Sequence, residues 1–212
     1  MSSVLVQDIY KDRTQLIFHP IQETFKGALI PYTHCLAETE NLTTLNDNTL
    51  FQIVDVRDTT VSTMSLIDTI TDMINANEGF QDHYKGNRAT RHRPIITSVD
   101  INDDHNEPPE TENVHINNNV IYRLILQDCF GNLCYAYEEE PLQFLRGPNT
   151  KGIFRIELGS KLLVHGGTKV SINTLHLKNE NITFLGGRII KLNYNLYKRK
   201  LKELKDEIGY EI

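Results

Sequence analysis

The chain contains no tryptophan, and only three cysteines and three methionines among its 212 residues. Cys35, Cys129 and Cys134 are too few, and odd in number, for the paired framework of a small secreted scaffold, so a reducing compartment is expected. Long hydrophobic runs are missing as well. No stretch of about eighteen apolar residues occurs, and no membrane-crossing helix is expected. Met1 to Asp8 lack the basic start and apolar body of a secretory signal. Asn41-Leu42-Thr43 and Asn181-Ile182-Thr183 therefore read as chance matches to the glycosylation pattern. Cations are in deficit: 22 basic residues stand against 28 acidic ones, a net charge of −6. Phosphate neutralisation by Lys and Arg drives most non-specific nucleic-acid affinity, so this balance argues against a protein that coats DNA unaided.

Enzyme signatures are also absent. Gly159-Ser160-Lys161 lacks the Gly-Lys-Ser/Thr order that places a hydroxyl on magnesium, so no phosphate loop is present. His165-Gly166-Gly167 faintly resembles an oxyanion loop, but no nucleophile elbow accompanies it. Cys129 and Cys134 flank a turn and could face each other across a hairpin, but no further ligand stands at metal spacing. The eight histidines are scattered. No catalytic residue, metal, cofactor or small-molecule substrate is expected.

What is present has a clear order. Residues 1–46 carry short apolar runs punctuated by Pro20 and Pro31, without helical period, and are expected to be extended and wrapped on the rest. Leu50 to Val56 is rich in β-formers and reads as a strand. Val61, Met64, Ile67, Ile70 and Ile74 then fall three or four apart, the spacing of one helical face. Thr59, Thr60 or Ser62 could start this helix, and Asn77 with Gly79 could stop it. Residues 80–119 read as a long inserted loop, with a basic stretch (Lys85, Arg88, Arg91, Arg93) before an acidic one. Strands return at Val120 to Gln127 and Leu133 to Tyr137, around a Phe130-Gly131-Asn132 turn. Further short strands at 161–165, 169–172, 175–177 and 182–185 end in glycine corners, which suggests a small barrel. Ile190, Tyr194, Tyr197, Leu201, Leu204 and Ile208 form an apolar seam at heptad spacing, the mark of a C-terminal helix. Residues 188–212 have a net charge of +3, which leaves −9 for the rest.

Leu175-His176-Leu177-Lys178-Asn179-Glu180-Asn181-Ile182-Thr183-Phe184-Leu185-Gly186-Gly187 resembles the end of the OB-fold in the RecQ-mediated genome instability family. That family is the OB-fold subunit associated with topoisomerase III. Gly159-Ser160-Lys161-Leu162-Leu163 is similar to the family's Gly-Thr-Lys motif. The strand at 50–56, the helix at 61–76, the long loop and Tyr122 to Asp128 stand in the family's order, so the resemblance spans about residues 48–205.

The resemblance implies a mainly β fold with flanking helices: a single five-stranded OB-fold barrel at 47–187, an inserted loop at 80–119, and a C-terminal helix at 188–212. It implies a nuclear, non-catalytic subunit that binds topoisomerase III and, through it, a RecQ-family helicase. DNA would be met mainly through the complex. The inserted loop would act at the topoisomerase gate and favour decatenation and double Holliday junction dissolution. Candidate topoisomerase contacts are then Lys161 and, in the loop, Tyr84, Lys85, Arg88, Arg91, Arg93, Ile95 and Ile96. Lys85, Arg88, Arg91 and Arg93 are also the candidates nearest DNA. The chain departs from longer members: residues 1–46 show no helical-bundle pattern and no second OB-fold is expected, as in the short fungal form.

The residues leave other readings open. The basic stretch could be a solvated loop, Lys161 a lysine that merely starts an edge strand, and the C-terminal helix either core packing or a partner's anchor. An OB-fold can also be a single-strand binder in repair or telomere maintenance. On the relevant strands this chain offers Tyr122, Arg123, Tyr135 and Tyr137, with few cations.

Overall fold

The computed structural model describes residues 13–23, 29–36, 42–85, 120–147 and 153–209. In chain order these give α1 (Arg13–Phe18), β1 (Leu42–Thr44), β2 (Thr49–Asp58), α2 (Thr63–Lys85), β3 (Tyr122–Gln127) and β4 (Leu133–Glu138). Then come β5 (Lys161–Val164), β6 (Lys169–Ser171), β7 (Thr174–Leu177), β8 (Ile182–Gly186), α3 (Ile190–Asn193) and α4 (Leu196–Glu207). Single turns of 3-10 helix occupy Tyr32–His34, Gln143–Leu145 and Asn179–Asn181.

The strands lie in one mainly antiparallel sheet, in the order β1-β6-β7-β4-β3-β2-β5-β8. The exception is β4–β7, which is parallel. The sheet curls back on itself. Leu42 faces Ser171 across β1–β6, and Thr49 faces Val164 across β2–β5, so both ladders follow one register. Leu45 continues that register between them, exchanging backbone bonds with Thr168 and Gly167. The expected five strands are therefore eight shorter ones, because bends at 45–48 and 165–168 interrupt two long strands and β8 adds to the outer edge of β5.

Alternation does what the sequence suggests on β3. Tyr122, Leu124 and Leu126 point inward and are buried, while Arg123, Ile125 and Gln127 are half-buried on the outside. With Phe51, Ile53, Ala136, Leu162 and Leu175 they fill the interior. A second apolar cluster lies outside the sheet, where Leu16, Ile21 and Leu29 of the N-terminal segment cover Leu50, Leu163 and Leu185. Within that segment residues 13–18 are helical rather than extended.

Two helix expectations need correction. Ser62 is the N-cap of α2, its Oγ accepting from the Ser65 N–H at 3.1 Å. The helix then runs through Asn77 and Gly79 to Lys85, so residues 80–85 belong to it and not to the loop. A single glycine weakens a helix by about 1 kcal/mol, which is too little to end one where no proline follows closely. Its buried face is Leu66, Ile67 and Ile70, whereas Met64 is half-exposed. At the other end of the chain, the continuous seam from Ile190 to Ile208 is cut. Asn193 spends its side chain on the backbone of Leu158 and Ile189, and Asn195 turns left-handed at φ 49°. Ile190 and Tyr194 are left exposed, while Leu204 is buried, with Tyr197 and Leu201 beside it, against α2.

Candidate partner-binding site

The inserted segment leaves the described fold at Lys85 and returns at Val120. Its return point is tightly held. The Arg146 guanidinium donates to the Val120 carbonyl at 2.6 Å and to both carboxylate oxygens of Glu138, at 2.6 and 2.7 Å. Glu138 also accepts from the backbone N–H groups of Tyr122 and Leu142. Both side chains of the pair are almost wholly buried, at 9% and 3% exposure. The Glu138 hydrogen bonds raise the Arg146 pKa above its ordinary value. The guanidinium also lies over the Tyr122 ring. Beside it, the Ile121 carbonyl accepts from the Thr59 N–H and hydroxyl. The insertion is thus anchored on a knot that ties β2, β3, β4 and the turn after β4 together.

The sequence reading missed this knot, although a signal for it exists. Cys134 and Ala136 point inward on β4, so the period of two places Glu138 on the same side. A carboxylate at such a position needs a cation, and the nearest unassigned arginine downstream is Arg146.

Lys161, expected at the surface, is fully buried. Its Nζ donates to Gln52 Oε1 at 3.1 Å and to the Gly159 carbonyl at 2.7 Å. Gln52 Oε1 also accepts the Ile21 N–H at 3.0 Å, so one amide oxygen holds both the lysine and the N-terminal segment. Burial without a carboxylate partner lowers the ammonium pKa from 10.5 to about 8. The same segment is tied to the far end of β8, where the Arg188 N–H donates to the Ile17 carbonyl. Gly187 permits this approach: at φ 98°, a Cβ there would meet that carbonyl.

The remaining candidates divide. Tyr84 and Lys85 end α2, and their side chains lie outside the described residues. Arg88, Arg91, Arg93, Ile95 and Ile96 lie outside them entirely. Of the aromatic residues expected on the ligand face, Tyr122 is buried and its hydroxyl accepts from Arg155. Arg123, Tyr135 and Tyr137 do face outward. The two cysteines thought to oppose each other do not, because Leu126 stands opposite Cys134 and Cys129 belongs to the outer cluster. Burial pushes both thiols up, Cys129 to about 11 and Cys134 to about 12, which disfavours the reactive thiolate. Among the described residues no group of three or more His, Cys, Asp or Glu side chains is placed to hold a metal ion.

A curled, mainly β sheet carrying α2 and the insertion between β2 and β3 is the class of architecture in which OB-fold domains fall. The chain belongs to the family described as "RMI1, N-terminal OB-fold domain", whose pattern matches residues 31–199. It is also similar to "RecQ-mediated genome instability protein 1" of Saccharomyces cerevisiae strain S288c. The two are 26% identical over 211 aligned positions, which cover 88% of this chain and 83% of that protein.

Proposed function

We propose that this chain is a genome-stability factor: the non-catalytic OB-fold subunit of a nuclear complex of a RecQ-family helicase with topoisomerase III. It binds the topoisomerase, and residues 86–119 together with the end of α2 act at the DNA gate, promoting decatenation and double Holliday junction dissolution. The observation that carries this reading is the family match, joined to an insertion whose return is fixed by the Glu138–Arg146 knot. A segment can bias a gate only if it contacts the open and closed states differently, and a rigid anchor makes such a difference transmissible. The loop candidates Tyr84, Lys85, Arg88, Arg91, Arg93, Ile95 and Ile96 keep their proposed role as topoisomerase contacts. Lys161 acts from within, holding β5, Gln52 and the N-terminal segment in one arrangement, rather than by touching the partner.

Replacing residues 86–119 with a ten-residue Gly-Ser linker tests the gate role. The variant is expected still to co-purify with topoisomerase III, held through the outer surface of the barrel, while its stimulation of catenane resolution falls tenfold or more. Full stimulation by the linker variant sinks the gate role, and loss of co-purification makes the insertion a binding element instead.

A further inference from the structure

A second site lies on the opposite side of the β3–β4 hairpin from the barrel interior. The outer face of β2 and β3, with Leu133 of β4, meets α2 and α4 across a cleft of about 360 Å³. Its lining is largely aliphatic, with Ile125, Leu133, Leu66, Ile70 and Leu204 among the residues around it. Leu133 is 54% exposed at the mouth, and Tyr135, cross-strand neighbour of Ile125, is 45% exposed. This is apolar surface that folding alone leaves open.

Arg123 lies in the same cleft. Its Nε is buried and has no hydrogen-bond partner. Its guanidinium lies over the Tyr135 ring, 5.3 Å from the centroid. The neighbouring cations are already engaged: Arg57 pairs with Glu207 at 2.8 Å and Lys200 with Asp55 at 2.9 Å. Arg123 is in no ion pair among the described residues. A buried unmatched N–H is an incomplete interaction, and the Nε edge of a guanidinium accepts a carboxylate through two parallel bonds.

The volume sits at the small end of the range for ligand pockets, roughly 300–1,000 Å³, and suits one or two side chains. The charge at the rim selects among anions. Asp55, Asp58, Glu203 and Glu207 line the cleft beside Arg57, Lys200 and Arg123, so a chain of phosphates is repelled. A single carboxylate adds only one charge, set against Arg123, and is repelled far less. We propose that this cleft docks a short protein segment presenting an aliphatic side chain beside an Asp or Glu. The aliphatic group would pack on Ile125 and Leu133, and the carboxylate would pair with the Arg123 guanidinium. This site goes beyond the gate function and does not depend on it.

A random peptide library displayed on phage is the probe, selected on the full-length chain and counter-selected on Leu133→Arg. The enriched peptides are expected to share a Leu, Ile or Met within three positions of an Asp or Glu. Synthetic copies should bind Arg123→Gln and Leu133→Arg at least tenfold more weakly, with both variants keeping the wild-type melting temperature and circular dichroism. Leu133 is largely exposed, so its replacement leaves the core intact. Failure to enrich any peptide over the counter-selection overturns the proposal. So does enrichment of peptides that ignore Arg123→Gln. Displacement of the peptides by oligo-dT assigns the cleft to nucleic acid and also overturns it.

Discussion

At the scale of single residues, Lys161 makes the sharpest prediction. Its folded pKa, about 8, lies below the 10.5 of a free lysine. Below pH 8 both folded and unfolded chains carry the proton, and the folded state bears the full penalty of a buried charge. Between pH 8 and 10.5 the folded chain sheds the proton while the unfolded chain keeps it, so this group makes stability rise with pH. The whole span corresponds to roughly 3 kcal/mol. Buried thiols work the other way above pH 9, because Cys129 and Cys134 stay protonated when folded. The difference between wild type and Lys161→Met isolates the lysine. Urea titrations should show the wild type gaining stability relative to the variant from pH 7.5 to 9.5. A pH-independent difference between the two sinks this account. Sequence could not place this side chain: Gly159-Ser160-Lys161 looks like the start of an exposed strand. Its burial depends on Gln52 and Ile21, which are 109 and 140 positions away.

At the scale of elements, period and turn chemistry were readable and long-range satisfaction was not. The strands at 122–127 and 133–138 stand within two residues of the expected bounds, because alternation and the Asp128 turn are local signals. Asp128 accepts from the backbone N–H groups of Phe130 and Asn132, as a turn aspartate does. The break at 193–195 was invisible, since Asn193 is consumed by Leu158 on a distant segment. The Glu138–Arg146 knot belongs to the same class and has a measurable consequence. Arg146→Met would leave a carboxylate 3% exposed with no cation beside it. Removing one partner of a buried pair costs about 3–5 kcal/mol. A loss below 1 kcal/mol in chemical denaturation would show that water reaches Glu138 and that the return of the insertion is not rigidly held. The double variant Glu138→Gln, Arg146→Met should recover part of the loss, because the uncompensated charge is gone.

At the scale of the whole molecule, the deficit of cations can be placed on the structure. The outward face of β3 and β4 carries Arg123 with Tyr135 and Tyr137, a group that alone would suit a stacked base. The carboxylates of Asp55, Asp58, Glu203 and Glu207 stand around the same cleft, and Arg57 and Lys200 are held in ion pairs. Each engaged cation is one that cannot release a counterion from DNA, so both affinity and its salt dependence should be small. Fluorescence anisotropy with a labelled thirty-nucleotide oligo-dT tests this on the isolated chain. At 150 mM salt the dissociation constant is expected to lie above about 10 μM, with a log–log salt slope shallower than about −2. Submicromolar binding with a slope near −5 would engage more phosphates than this face has free cations, and would favour the single-strand-binding reading of the OB-fold. If the proposed function holds, adding topoisomerase III should raise DNA affinity through the topoisomerase's own surface. Replacing residues 86–119, Arg88, Arg91 and Arg93 among them, should then lower the affinity of the assembly for duplex DNA far less than it slows catenane resolution. That separation of binding from turnover distinguishes a subunit that works on the gate from one that works on the DNA.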